Sequence, residues 1–172
     1  MEKVYASLID GELLANIFPE ANGIGVREVH FIGHSFGGAT CLQAIANMEN
    51  KKMDLSLLKH CLVIDPFLFP LSEYALSHKF TQNITIINSE TFINILPPEL
   101  QIKKLLKIFI ENNFDKVSAF VMMGSDHIFS TDFSFVCGNG VTVITRFRNY
   151  DHRDDFFAML QVITKLSFDG YS

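Results

Sequence analysis

Short apolar runs alternate with amphipathic stretches along most of the chain. Glu28-Val29-His30-Phe31-Ile32 predicts a strand, followed at once by Gly33-His34-Ser35-Phe36-Gly37-Gly38. A helix is predicted next, with Ala39, Leu42, Ile45, Ala46 and Met48 as its apolar positions. Cys61–Ile64 is a continuous apolar run ending at Asp65, and Ile84–Ile87 is another ending at Asn88-Ser89-Glu90. Pro97-Pro98 opens a helix whose Ile102, Leu105, Leu106, Phe109 and Ile110 share one face. Val117–Met123 is a fourth run, ending at Gly124-Ser125-Asp126-His127. A last helix is predicted over about 153–167, with Phe156, Met159, Leu160, Ile163 and Leu166 on one face. At the start, Leu8, Ile9, Leu13, Leu14 and Ile17 predict one short helix stopped by Pro19, and Asn22-Gly23-Ile24-Gly25 reads as loop. Apolar strands alternating with helices predict buried parallel strands in βαβ units. Three of the four runs end in a residue able to do chemistry, at the strand ends where open α/β sheets place their sites.

Composition narrows this picture. A length of 172 residues suits one domain over 1–172, and 48% hydrophobic against 19% charged residues supports a packed core. A net charge of −5 argues against a nucleic-acid surface. Three widely spaced cysteines (Cys41, Cys61, Cys137) without a CxxC pair argue against a disulfide framework or zinc site. A reducing compartment fits them, while the sequon Asn83-Ile84-Thr85 points to secretion but falls on a predicted buried strand. No apolar run reaches the roughly 18 residues of a membrane span, and the first residues lack a signal-peptide pattern. Cytoplasmic and secreted placements both stay open, the second with a lost targeting segment.

Gly33-His34-Ser35-Phe36-Gly37 matches G-x-S-x-G between a strand and a helix, the context of a nucleophile elbow in an α/β-hydrolase. A serine at the tip of so tight a turn adopts a strained backbone. Gly33 and Gly37 are expected to avoid side-chain collisions across it. The turn lifts the Ser35 hydroxyl above the sheet. It also aims the Phe36 backbone N–H where an oxyanion would form.

The order in this fold is serine, acid, histidine. His127 is the histidine after the elbow that follows a strand within a polar, glycine-containing loop. His60 is expected before a strand, His78 in a polar helix or loop, and His152 in a solvated charge run; His34 is expected to support the turn. Two residues compete for the acid. Glu90 follows the strand second from the elbow, the usual position. Asp65 follows the adjacent strand and gains slightly, because Pro66 is expected to hold it extended.

Four segments in order resemble the plasma and type II intracellular platelet-activating factor acetylhydrolases. They are Gly33–Thr40, Ile64–Leu71 (an aspartate followed by aromatics and Phe-Pro-Leu), Ile87–Phe92, and Gly124–His127 with Asp132-Phe133-Ser134-Phe135. The resemblance implies Ser35 as nucleophile, Asp65 as acid and His127 as base. It leaves Glu90 without a role. It also implies a serine esterase that cleaves short sn-2 acyl chains from phospholipids, platelet-activating factor and oxidised species included. No cofactor or metal is implied, and no calcium loop is present. Phe67, Leu68 and Phe69 are candidates to line an acyl or lipid pocket, with ordinary packing as the alternative.

About 27 residues precede the first predicted strand. The expected architecture is therefore the C-terminal portion of an α/β-hydrolase, a mostly parallel sheet flanked by helices and lacking the N-terminal strands. The loop that supplies the second oxyanion donor would fall among those strands. The expected partner is a phospholipid substrate. The last helix is expected to pack on the sheet, with peripheral contact to a lipid surface as its alternative. Nothing in the sequence sets an oligomeric state. A general carboxylesterase and an inactive truncated fragment are the competing readings.

Overall fold

The computed structural model of the protein describes residues 1–21, 23–95 and 102–127, with positions 158, 161, 162 and 165 beyond them. Four parallel strands form one sheet in sequential order: β1 (Val29–His34), β2 (Leu58–Ile64), β3 (Asn83–Ser89) and β4 (Val117–Met122). Among the described residues through 127, the α-helices accompanying them are α1 (Glu2–Ile9), α2 (Glu12–Ile17), α3 (Phe36–Asn50), α4 (Glu73–Ser77), α5 (Glu90–Ile95) and α6 (Ile102–Asn112). This is a helix-flanked parallel sheet of the α/β-hydrolase type. No helix among the described residues is long and apolar enough to cross a membrane.

Register explains the core. Phe31, Cys61, Ile84 and Val117 stand side by side across all four strands on one face. They belong to a buried cluster with Leu42, Ile45 and Met48 of α3 and Phe109 of α6. Gly38, Ala39, Ala44 and Ala46 are also buried in α3, and their small size lets the helix lie close on the sheet. Each large side chain buried here contributes about 1.5–3 kcal/mol.

Some expectations change. The single helix expected before Pro19 is two helices, because Gly11 adopts φ 76 between them, a left-handed conformation that ends one and opens the next. His60 lies inside β2, buried, with its Nε2 2.9 Å from Thr85 Oγ1, rather than ahead of the strand. The local pattern did not separate two short helices. α4 is capped by Ser72, whose Oγ accepts from the Ala75 N–H. α5 begins at Glu90, directly after β3. Pro97, Pro98, Cys137, His152, the Asp132–Phe135 segment and the apolar face of the last helix lie outside the described residues. The described positions of that helix, Ala158, Gln161, Val162 and Lys165, are helical.

Candidate active site

Because all four strands run the same way, Ser35, Asp65, Glu90 and the loop 124–127 gather at one edge of the sheet. Ser35 caps α3 with φ 58 and ψ −123. Its N–H donates to the Ile64 carbonyl at 2.9 Å, and its own carbonyl accepts from Gly38, Ala39 and Phe67. Such a conformation costs about 1–3 kcal/mol, and these bonds to the neighbouring strand and the Asp65 loop maintain it. Gly33 is obligatory here. A Cβ on it would lie 2.4 Å from the Gly37 carbonyl oxygen. The same expectation does not hold for Gly37, where a Cβ would meet nothing within 4 Å; the second tight position is Gly38, against Pro66.

Asp65 also has positive φ, 45, so Pro66 does not hold it extended as expected. Its N–H donates to the Ile87 carbonyl at 2.8 Å. The carboxylate is buried and saturated: Oδ1 accepts from the Ser89 N–H at 2.6 Å, and Oδ2 from the Ser89 hydroxyl at 2.7 Å. Oδ2 also lies 3.0 Å from His127 Nδ1, while His127 Nε2 lies 3.1 Å from Ser35 Oγ. An ionised carboxylate only accepts, so Nδ1 carries the proton and Nε2 is left to accept from the serine hydroxyl. The structure thus joins Ser35, His127 and Asp65 in one relay.

Glu90 does not reach the imidazole. Its Oε2 accepts instead from the Gly124 N–H at 2.7 Å. His34 does more than support the turn. Its Nε2–H donates to the His127 carbonyl at 3.0 Å, and its ring lies 4.5 Å from that of His127. Burial, and then the neighbouring His127, hold the His34 imidazole below its ordinary pKa, although Asp65 and the His127 carbonyl act the other way. Phe92 stacks on the His127 imidazole at 5.0 Å. Donor atoms of His34, Asp65 and His127 lie within 4.8 Å of one another, a spacing open to a metal. A cation there would have to break the relay, because Asp65 already serves Ser89 and His127.

Phe36 opens α3, so its N–H is among the amides that a helix leaves without an internal acceptor. Its ring stacks on Phe67 at 4.8 Å and meets Phe69 at 6.0 Å. Phe36 and Phe69 are 57% and 43% exposed, forming an apolar wall beside Ser35. A groove of about 630 Å³ leads away from Phe36 along α3, past Thr40, Gln43 and Ala44, with Pro70 and Leu71 on its other side. Leu68 is excluded from any such wall: it is fully buried in the core. Alternation explains the difference, since Phe67 and Phe69 face out and Leu68 between them faces in.

A family model described as platelet-activating factor acetylhydrolase, isoform II, matches residues 8–169. The chain belongs to this family. The family is one of hydrolases, and all three relay residues fall within the matched region. The platelet-activating factor acetylhydrolase of Cavia porcellus is 33% identical over 111 residues, 64% of this chain and 22% of the relative. That of Canis lupus familiaris is 33% identical over 117 residues, 68% of this chain and 23% of the relative. These matches cover less than a quarter of the length of either relative. Ser89, Thr91 and Phe92 lie in the segment Ile87–Phe92 that carries part of the resemblance, but sequence reasoning assigned none of them a role of its own. Ser89 closes β3, and Thr91 and Phe92 follow it in α5; the signals for them were that strand end and the resemblance of the segment.

Proposed function

We propose that the chain is a calcium-independent serine esterase acting on the sn-2 acetyl or short acyl ester of platelet-activating factor and oxidised phospholipids. Membership of the acetylhydrolase family supports the substrate class. The observation that carries the reading is the 3.1 Å and 3.0 Å relay from Ser35 through His127 to Asp65.

In this mechanism the sn-2 carbonyl carbon approaches Ser35. His127 Nε2 takes the hydroxyl proton as Ser35 Oγ attacks. Asp65 holds the Nδ1–H tautomer and stabilises the imidazolium that forms. The Phe36 N–H, at the positive end of α3, stabilises the tetrahedral oxyanion. As the carbon–oxygen bond to glycerol breaks, His127 returns its proton to the leaving alkoxide, and lysophospholipid departs. Water then attacks the acyl-serine by the same route, releasing the short acid and restoring Ser35. Phe67 and Phe69 wall the acyl site, and the exposed rings of Phe36 and Phe69 suit contact with a lipid surface. No residue role calls for a metal.

Hydrolysis of phosphatidylcholines graded from sn-2 acetyl to long acyl, with simple esters alongside and EDTA present, tests the reading. It predicts turnover that falls steeply with acyl length and is unaffected by EDTA. Equal rates on simple esters would favour a general carboxylesterase. No turnover on any ester would refute the proposal.

A further inference from the structure

The segment 124–127 that carries His127 lies beyond β4 and belongs to no helix or strand. Its backbone is nevertheless held from two sides. The Gly124 N–H donates to Glu90 Oε2 at 2.7 Å. The Ser125 carbonyl accepts from the Thr91 N–H at 3.3 Å. The His127 N–H donates to Thr91 Oγ1 at 3.3 Å, and the His127 carbonyl accepts from His34 Nε2–H at 3.0 Å. Glu90 and Thr91 open α5, while His34 closes β1 beside Ser35. One side therefore anchors the loop to the strand that supplies Ser89, the donor to Asp65. The other ties it to the nucleophile turn itself. Without these bonds the His127 side chain would hang on a short irregular loop, and both of its relay distances would be free to drift.

We propose that Glu90, Thr91 and His34 are positioning residues that clamp the backbone of the 124–127 loop and so fix the His127 imidazole between Ser35 and Asp65. None of them touches the reacting atoms in this assignment. Glu90 matters as an acceptor, which distinguishes it from a competing triad acid. His34 matters as a donor on Nε2, and its ring packing on His127 is a second, separable contribution. The inference rests on the reading of Ser35, His127 and Asp65 as the catalytic relay.

The test is steady-state hydrolysis of an sn-2 acetyl phospholipid, with thermal melting recorded for every variant. Glu90→Ala, Thr91→Val and His34→Phe each remove one hydrogen bond; the last keeps an aromatic ring. Each is expected to lower kcat about 10–100-fold while leaving KM and the melting temperature near wild type. Glu90→Gln and Thr91→Ser keep an acceptor, and His34→Gln keeps a donor, so these three should recover most of the rate. Glu90→Ala combined with His34→Phe should lose less than the product of the single losses, because both hold one loop. Conservative variants as slow as the disruptive ones would overturn the proposal. So would losses that appear in KM alone or that follow the melting temperature. If the wild type turns over through Ser35 and the disruptive variants match it, only the clamp fails. If the wild type does not turn over, or Ser35→Ala retains its rate, the underlying catalytic reading fails instead.

Discussion

Gly33→Ala probes the elbow at its tightest point. The added Cβ would sit 2.4 Å from the Gly37 carbonyl oxygen, 2.6 Å from the Gly37 carbonyl carbon and 2.7 Å from the Gly38 nitrogen. Ordinary contact begins near 3.4 Å, so the turn must open by about 1 Å. The atoms in the way are backbone, which no rotamer change can move. Overpacking costs about 1–3 kcal/mol, and the upper end applies here. At about 2–4 °C per kcal/mol for a domain of this size, the melting temperature should fall by about 6–12 °C. The same 1 Å would stretch the 3.1 Å contact between Ser35 and His127 and reduce reactivity on the order of 100-fold. The control is Gly37→Ala, whose Cβ meets nothing within 4 Å. It should leave stability unchanged or raise it by up to about 1 kcal/mol through helix propensity. Calorimetry and phosphonylation rates on both variants provide the comparison. A Gly33→Ala protein with wild-type melting and reactivity, or two variants equally damaged, would refute this account of the turn.

Other perturbations separate the roles of neighbouring residues. Asp65→Asn should cut esterase kcat about 10⁴-fold with little change in KM: with its oxygen kept on the Ser89 N–H, the amide turns its NH2 toward Nδ1, which must then accept, and the proton moves to Nε2; a change confined to KM would contradict this. Leu68→Ala should cost about 2–5 kcal/mol in urea unfolding, since Leu68 is fully buried. Phe69→Ala, at a 43% exposed position, should leave unfolding nearly unchanged and alter acyl-length preference instead. Burial, and then a neighbouring histidine, hold both His34 and His60 below the ordinary imidazole value of 6.5. The unfolded chain therefore binds more protons just below pH 6.5. Stability should be fully present above that value and fall as pH drops toward the depressed folded values. Urea midpoints measured across pH 5–8 should show this slope, and His60→Gln should flatten it; a midpoint independent of pH would contradict the assignment.

Much of the fold was legible because its strands are short, continuous apolar runs. All four runs became strands, with ends that coincide or differ by up to three residues. Ser35 and His127 were legible for a related reason: each follows such a run in a glycine-containing turn. The strand pattern alone left Asp65 and Glu90 in competition, because each follows a strand and each can accept from a proton donor, and the family resemblance favoured Asp65. In the fold Asp65 turns inward at positive φ to within 3.0 Å of His127 Nδ1, while Glu90 reaches back to Gly124. Gly33 and Gly37 looked equivalent in the motif, yet only one faces backbone across the turn. Leu68 looked like its aromatic neighbours until alternation placed it in the core. Ser89 and Thr91 carried no chemical signature in sequence, since their value lies in contacts with residues more than 20 positions away.

The central claim is that Ser35 is an activated nucleophile, and its most direct test is fluorophosphonate labelling of the folded chain followed by peptide mapping. The account predicts one modified residue, Ser35, with labelling abolished in Ser35→Ala and strongly reduced in His127→Ala and Asp65→Asn. A folded chain that takes no label, or takes it equally well without His127, would contradict it.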